Sequence, residues 1–129
     1  MSDLVTQAAW TLVAAFLLSF VYEVYRATAK AGTSRHDSMR AFATNNLAFY
    51  AIAASVIAVL FLGFEWAPWV GLIFSGVAIA ASILYYNPKI LVERAPGVID
   101  WLEDIVFTGL LFVTAALLIY QVLGISLTP

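Results

Sequence analysis

The sequence has no cysteine among its 129 residues, a single histidine, and only 11% charged residues. The absence of cysteine excludes disulfides, thiolate metal sites and thiol redox chemistry, and it leaves the redox compartment undecided. His36, with no second nitrogen or sulfur ligand near it in the sequence, is weak evidence for a metal site. A soluble domain is usually about one quarter charged, so this chain has too few polar side chains to cover a soluble surface.

Basic residues are not in excess either, because the formal net charge is −2. Nothing in this balance favours nucleic acid as a partner. The sequence also lacks a nucleophile–base pair, a phosphate-binding glycine loop and a zinc-protease motif. We therefore expect no catalytic residues, no metal ligands and no cofactor, and we do not expect an enzyme.

Apolar residues make up 64% of the chain and fall in four long segments. A helix needs about 20 mostly apolar residues to cross roughly 30 Å of bilayer hydrocarbon. The sequence thus predicts an all-α membrane protein, in which four transmembrane helices form an antiparallel bundle and residues 1–129 are one domain. The predicted spans cover residues 4–25, 41–64, 69–86 and 98–123.

Short polar segments mark the connections between these helices. The link at residues 65–68 is so short that the second and third helices must form a hairpin. Asn87-Pro88 is predicted to end the third helix, because the residue before proline avoids helical dihedrals. Residues 89–94 are then expected to form a connector in the membrane interface, and Asp37 or Ser38 to cap the second helix.

The basic residues give the predicted orientation. All six lie in the first and third connections: Arg26, Lys30, Arg35, Arg40, Lys89 and Arg94. The opposite connection contains Glu65 and no lysine or arginine. By the positive-inside rule, the two basic loops lie inside and both termini lie on the outer side of a cell membrane or a viral envelope.

Acidic residues cluster at the start of the fourth helix, where Asp100, Glu103 and Asp104 share one helix face at spacings i, i+3 and i+4. One interpretation is a site for a divalent cation or a proton. The other, which the balance of charges on the inner side favours, is ion pairing with the basic first loop. The candidate ion-pair or cation site comprises Glu23, Arg26, Lys30, Arg40, Asp100, Glu103 and Asp104.

Other polar residues lie near the same predicted boundary. Glu23 is in the first span, where an unpaired carboxylate is costly, and we expect it to pair with Arg26. The alternative is a gate or a proton relay. Asn45, Asn46 and Asn87 lie at a similar depth and are more typical of hydrogen bonds between helices than of a polar entrance.

Small residues form two stripes that are expected to pack helices together, since small side chains let membrane helices approach closely. The second helix carries Ala51, Ser55 and Ala58. The third helix carries Gly71, Ser75, Ala78 and Ser82.

These features predict a small non-catalytic integral membrane protein that is a structural or accessory subunit of a larger membrane assembly. Its partners would be the lipid bilayer and other membrane proteins or copies of itself. The alternative hypothesis is a small oligomeric channel or transporter with an acidic inner mouth. A membrane enzyme that uses the carboxylates with a metal is the least favoured hypothesis.

Overall fold

The computed structural model describes residues 3–124, which form helices and contain no strand. The α-helices are α1 (Asp3–Thr28), α2 (Met39–Asn45), α3 (Leu47–Leu62), α4 (Ala67–Ala81) and α5 (Val98–Leu123). A π-helix (Ser82–Leu91) and a 3₁₀ turn (Val92–Arg94) continue directly from α4. The all-α fold class is thus confirmed, whereas both chain ends, which the predicted topology assigns to the outer side, lie outside the described residues.

Three helical segments are long and apolar enough to cross a membrane: Leu4–Thr28, Ala67–Arg94 and Val98–Leu123. Helices α2 and α3 together are a fourth candidate, but they are bent by 48° at their junction. The chain therefore has the properties of an integral membrane protein with three candidate spans, or up to four.

The apolar core lies between α1, α3, α4 and α5, and α1 packs most extensively against α5. Leu12, Leu60, Leu111 and Leu118 are fully buried there. Nearer the middle of α1, the Phe16 ring contacts aromatic rings from α3, α4 and α5. We call the half of the molecule around the four leucines the apolar end.

The prediction that the third helix ends at Asn87-Pro88 is wrong. The helical backbone passes through Pro88 as a π-helix and reaches Leu91, which is fully buried. In an α-helix, proline removes one i→i−4 hydrogen bond and its ring clashes with that carbonyl. The wider π turn, with hydrogen bonds five residues apart, moves the carbonyl away from the ring. Residues 89–94 are consequently helical rather than an irregular connector.

The two stripes of small residues have different outcomes. In α4 and the start of the π-helix the predicted residues are all buried: Gly71, Ser75, Ala78 and Ser82. The prediction for α3 is wrong for packing within the chain, because Ala51, Ser55 and Ala58 are exposed. Helix α3 buries Ala53, Val56 and Leu60 instead. It is apolar on every side, so its sequence does not single out the face that contacts α1 and α4.

The start of α2 agrees with the sequence. Ser38 precedes the helix in extended conformation, and its Oγ accepts a hydrogen bond from the backbone N–H of Ala41 at 3.0 Å. This cap satisfies one of the N–H groups that a helix start leaves without an intrahelical partner. It fixes the position of α2 directly after the loop of residues 29–38.

Candidate functional site

Seven ionisable side chains are buried together opposite the apolar end, each with 9% exposure or less. They come from α1, the loop before α2, the 3₁₀ turn and the start of α5, and we call this region the charged end. Its members are Glu23, Arg26, Asp37, Arg94, Asp100, Glu103 and Asp104. Burying an ion costs several kcal/mol unless an opposite charge or hydrogen bonds compensate it. The partners of each buried side chain therefore decide whether its charge is compensated within the protein.

Arg94 joins three parts of the chain. Its Nη1 and Nη2 donate to the two carboxylate oxygens of Glu23 at 3.1 and 2.8 Å. The same nitrogens donate to the Tyr86 hydroxyl at 3.0 Å and to the His36 carbonyl at 3.4 Å. The Nε atom lies 3.1 Å from Oδ1 of Asp37, although its N–H is not aligned for a hydrogen bond. A guanidinium has five N–H donors. Four of those of Arg94 are engaged in hydrogen bonds, and the fifth, on Nε, lies against Asp37.

Arg26 is the second buried cation. Its Nε donates to Oδ1 of Asp37 at 2.9 Å, and its Nη2 donates to Oδ2 of the same carboxylate. Burial alone would raise the pKa of Asp37. Hydrogen bonds from Arg26 and Ser34, with the positive charges of Arg94 and Arg26, instead hold that pKa below its ordinary value. Asp37 is therefore ionised at neutral pH and bridges the two arginines.

Asp100 belongs to the same network at the start of α5. Its Oδ1 accepts a hydrogen bond from the Tyr22 hydroxyl and lies 3.5 Å from Nη1 of Arg26. Its Oδ2 accepts from the backbone N–H of Gly97 at 2.8 Å, which closes the first turn of α5. This carboxylate thus has three donors and is fully accounted for within the protein.

The remaining two carboxylates are not neutralised. With its amide oriented to match its neighbours, Asn87 donates to Oδ1 of Asp104 at 2.8 Å, but no cation contacts Asp104 in the described part of the chain. Glu103 makes neither a hydrogen bond nor an ion pair within residues 3–124, although it is only 9% exposed. The charged end therefore buries five carboxylates with two guanidinium groups.

Glu103 and Asp104 line a cavity of about 320 Å³. Polar side chains from α1, the π-helix and the α2–α3 junction share its wall with aromatic rings. The other lining residues include Ser19, Glu23, His36, Asn45, Asn46, Phe49, Ser82, Tyr85, Tyr86, Arg94 and Phe107. Asn45 and Tyr85 are exposed, so the cavity opens on the side of the molecule between α2 and the π-helix.

The two irregular segments of the backbone form opposite walls of this cavity. The α2–α3 junction contributes Asn45 and Asn46, and the π-helix contributes Ser82, Tyr85 and Tyr86. Single π turns occur frequently at functional sites. At membrane depth, non-helical or broken helical backbone is tolerated where it lines a cavity. The two irregular segments thus lie on opposite sides of the same cavity.

Only some of the ion pairs predicted among the candidate residues are formed in the described part of the chain. Of the predicted pairs between the acidic cluster and the first loop, the structure contains Arg26–Asp100. Lys30 and Arg40 are exposed and form no ion pair in the part of the chain that is described. The expected Glu23–Arg26 pair is not formed, since the carboxylate of Glu23 is held by Arg94.

Sequence reasoning missed Arg94 and Asp37 as the centre of the network. Arg94 is 71 residues from Glu23 in the chain, so no local spacing connects them. The only signal was that both residues lie in predicted inner connections. That signal does not show which side chains pair with them. Their geometry depends on how the 3₁₀ turn lies against α1.

Outside the buried network, Arg35 and Glu93 form an exposed pair with two hydrogen bonds of 2.7 and 2.8 Å. His36 Nε2 lies 3.0 Å from the same Glu93 carboxylate. In residues 3–124, no group of three or more histidine or acidic side chains is arranged to hold a metal ion. The pairing of His36 with Glu93 gives this histidine a structural contact at the surface.

Comparison with protein-family models, with curated proteins and with solved structures finds no match to this chain.

Proposed function

We propose that the helices form a four-span antiparallel bundle in which α2 and α3 are one broken span. The basic connections then lie at the charged end, which faces the inner side, and both termini lie on the outer side. The positive-inside rule supports this orientation, since the connection at Glu65 contains no basic residue. Discontinuous spans of this kind occur in transporters, where the break contributes to the binding site.

The topology can be tested with single cysteines, because the natural chain contains none. Lys30→Cys and Glu65→Cys place a thiol at two exposed positions on either side of α2 and α3. If α2 and α3 cross the membrane, an impermeant maleimide should label the two variants from opposite sides of sealed vesicles. Labelling of both from the same side would show that this pair does not span.

We propose further that the protein binds a cation from the inner side in the cavity of the charged end. The observation that carries this proposal is Glu103, a buried carboxylate that lines the cavity and has no partner in residues 3–124. Its electrostatic neighbours add to the demand for positive charge, since the like charges of Glu23, Asp104 and Asp100 act on it together with the opposite charge of Arg94. A bound cation would supply the missing charge.

The depth of the site in the bilayer makes the need to neutralise Glu103 large. Glu103 lies roughly 8 Å along α5 from the start of that helix, and Ser19 lies roughly 14 Å from the end of α1, at 1.5 Å per residue. In a bilayer these positions are within the inner leaflet, where charge is poorly screened and an uncompensated ion is costly. A proton or another cation must therefore neutralise the surplus carboxylates.

The closed apolar end of the bundle favours a binding site of transporter type over an open pore. The apolar end is closed by Leu12, Leu60, Leu111 and Leu118, which have no exposed surface. A cation that enters from the charged end would meet this apolar barrier. Binding is thus the property to measure first, and transport is the second.

Thermal denaturation in detergent and flux into liposomes test this function. Cations that occupy the cavity should raise the melting temperature of the natural protein, because a ligand that binds only the folded state stabilises it. Glu103→Gln should lose this response, and Glu93→Gln, which removes an equal charge at the exposed surface, should keep it. If no cation of any class stabilises the protein, the proposed function is wrong.

The hypothesis of an accessory subunit stays a prediction. Large exposed apolar side chains on α5, such as Leu102, Ile105 and Phe112, would suit lipid or a partner helix equally well. Purification in mild detergent with its neighbours would test that hypothesis independently of the cation site.

A further inference from the structure

We propose that the cavity recognises an organic ammonium group, with Glu103 and Asp104 as its counter-charges and aromatic rings as its walls. This inference rests on the proposed cation site and names the class of cation. Three observations carry it: the placement of the unpaired carboxylate, the aromatic content of the wall, and the lack of a coordination shell for a metal ion.

The first observation is that the two arginines cannot compensate Glu103. Arg94 donates to Glu23, Tyr86 and His36, and its Nε lies 3.1 Å from Asp37 Oδ1. Arg26 contacts Asp37 and Asp100, and it does not line the cavity. The positive charge that Glu103 lacks therefore has to come from a ligand or a proton.

The second observation is the aromatic wall. Phe49 comes from α3, Phe107 from α5, and Tyr85 and Tyr86 from the π-helix, and all of them line the cavity with Glu103. The faces of aromatic rings attract ammonium groups, and aromatic cages are a common way to recognise quaternary ammonium ligands. The alkyl substituents of such a ligand would contact these rings while its charge lies beside the carboxylates.

The third observation concerns inorganic cations. A calcium ion takes six to eight oxygen ligands, and magnesium requires a near-octahedral set. Among the described residues no three histidine or acidic side chains converge in a way that could hold a metal ion. An ammonium group needs fewer oxygen contacts, and a cavity of about 320 Å³ lies at the small end of the range for organic ligands.

A proton could neutralise Glu103 in place of an ammonium ion. Charged groups that act on Glu103 come from α1 (Glu23), the 3₁₀ turn (Arg94) and α5 (Asp100 and Asp104). Glu103 also acts electrostatically on Tyr50 of α3 and Tyr86 of the π-helix. Tyr86 from the π-helix and His36 from the loop also line the cavity. An ammonium ion and a proton would compete for the carboxylate, so ligand binding should weaken as the pH is lowered and should release protons into the buffer.

The test uses the full chain in a non-ionic detergent and isothermal titration calorimetry with tetramethylammonium and tetraethylammonium. Potassium and calcium serve as inorganic probes. We expect the ammonium ions to bind and Glu103→Gln to weaken binding about ten- to a hundredfold, because the variant removes the Coulombic attraction between the carboxylate and the ammonium charge. Phe107→Leu should weaken binding roughly three- to tenfold through the lost ring face. Glu93→Gln is the matched control and should bind like the natural protein.

Ala81→Trp is a second test that does not alter the buried charges. Ala81 lines the cavity and is exposed, so a large ring there should obstruct entry without disturbing the core. We expect this variant to lose ammonium binding while its melting temperature without ligand stays close to that of the natural protein. Unchanged binding in both Glu103→Gln and Ala81→Trp would overturn the proposal.

The outcomes separate this inference from the function on which it rests. Binding of potassium or calcium that depends on Glu103, with no binding of ammonium ions, would overturn the ammonium assignment and leave the cation site intact. No binding of either class would overturn both. Nanodiscs of two uncharged lipids identify the source of the group: weaker tetramethylammonium binding in phosphatidylethanolamine than in a neutral galactolipid, which has no amine, supports a lipid amine, and equal binding supports a soluble amine.

Discussion

The buried pair between Arg94 and Glu23 should stabilise the fold far more than the exposed pair between Arg35 and Glu93. Both are two-pronged, with N–O distances of 2.8 and 3.1 Å in the first and 2.7 and 2.8 Å in the second. The side chains of the first pair are 3% and 7% exposed, and those of the second are 74% and 40% exposed. The chain thus offers two pairs with similar N–O distances and opposite burial.

Arg94→Met replaces the guanidinium by an apolar side chain and leaves Glu23 and Asp37 buried without it. Removing one partner of a buried ion pair costs about 3–5 kcal/mol, and we expect a loss in the free energy of unfolding of this size. Glu23→Gln should also destabilise the fold, and the double variant should cost less than the sum of the two single changes because the groups share one interaction. Arg35→Met should leave stability almost unchanged, since an exposed pair contributes little.

The assay is equilibrium unfolding in mixed micelles, followed by circular dichroism, with all four variants measured under the same conditions. Equal losses in Arg94→Met and Arg35→Met would refute the reasoning, because they would show that burial does not decide the value of these pairs. Additivity of the two single changes would show that Glu23 and Arg94 act independently despite their contact.

Three further predictions test other parts of the structure. A Cβ at Gly71 would lie 2.8 Å from a methyl carbon of the fully buried Leu118, so Gly71→Ala should destabilise the protein by about 1–3 kcal/mol. A Cβ at Gly76 would meet no heavy atom within 4 Å, so Gly76→Ala should stabilise the helix by about 0.5–1 kcal/mol. Similar melting temperatures for the Gly71→Ala and Gly76→Ala variants would contradict this expectation. The lowered pKa of Asp37 contributes stability that is present above its unfolded value of about 3.9 and is lost as the pH falls through the folded value. Asp37→Asn should therefore be less stable at neutral pH and should show a flatter decline below about pH 4; parallel unfolding curves would refute this assignment. Finally, Ser38→Ala should lower the melting temperature through a lost cap of about 1 kcal/mol, and an unchanged value would show that the cap contributes nothing.

The sequence predicted the helical fold class and the location of the apolar segments, because both depend on composition over windows of about 20 residues. It also predicted a cap at Asp37 or Ser38, which is a local hydrogen bond, and Ser38 is the residue that forms it. It failed where local rules were outweighed by packing. Pro88 was expected to end a helix, but the π geometry accommodates the ring and keeps Leu91 in the interior. The face of α3 predicted from its small residues is wrong, because every side of that helix is apolar and its sequence does not single out the packed face.

The candidate site was harder to predict, for a reason that lies in its chemistry. The sequence places Asp100, Glu103 and Asp104 on one face and treats them as equivalent. The structure makes them different: Asp100 receives three donors, Asp104 receives an amide, and Glu103 receives none in the described residues. These differences arise from Tyr22 and Arg26 in α1 and from Asn87 in the π-helix. A carboxylate becomes a candidate ligand-binding group only when its neighbours direct their donors elsewhere. That property belongs to the assembled charged end, and no spacing within α5 encodes it.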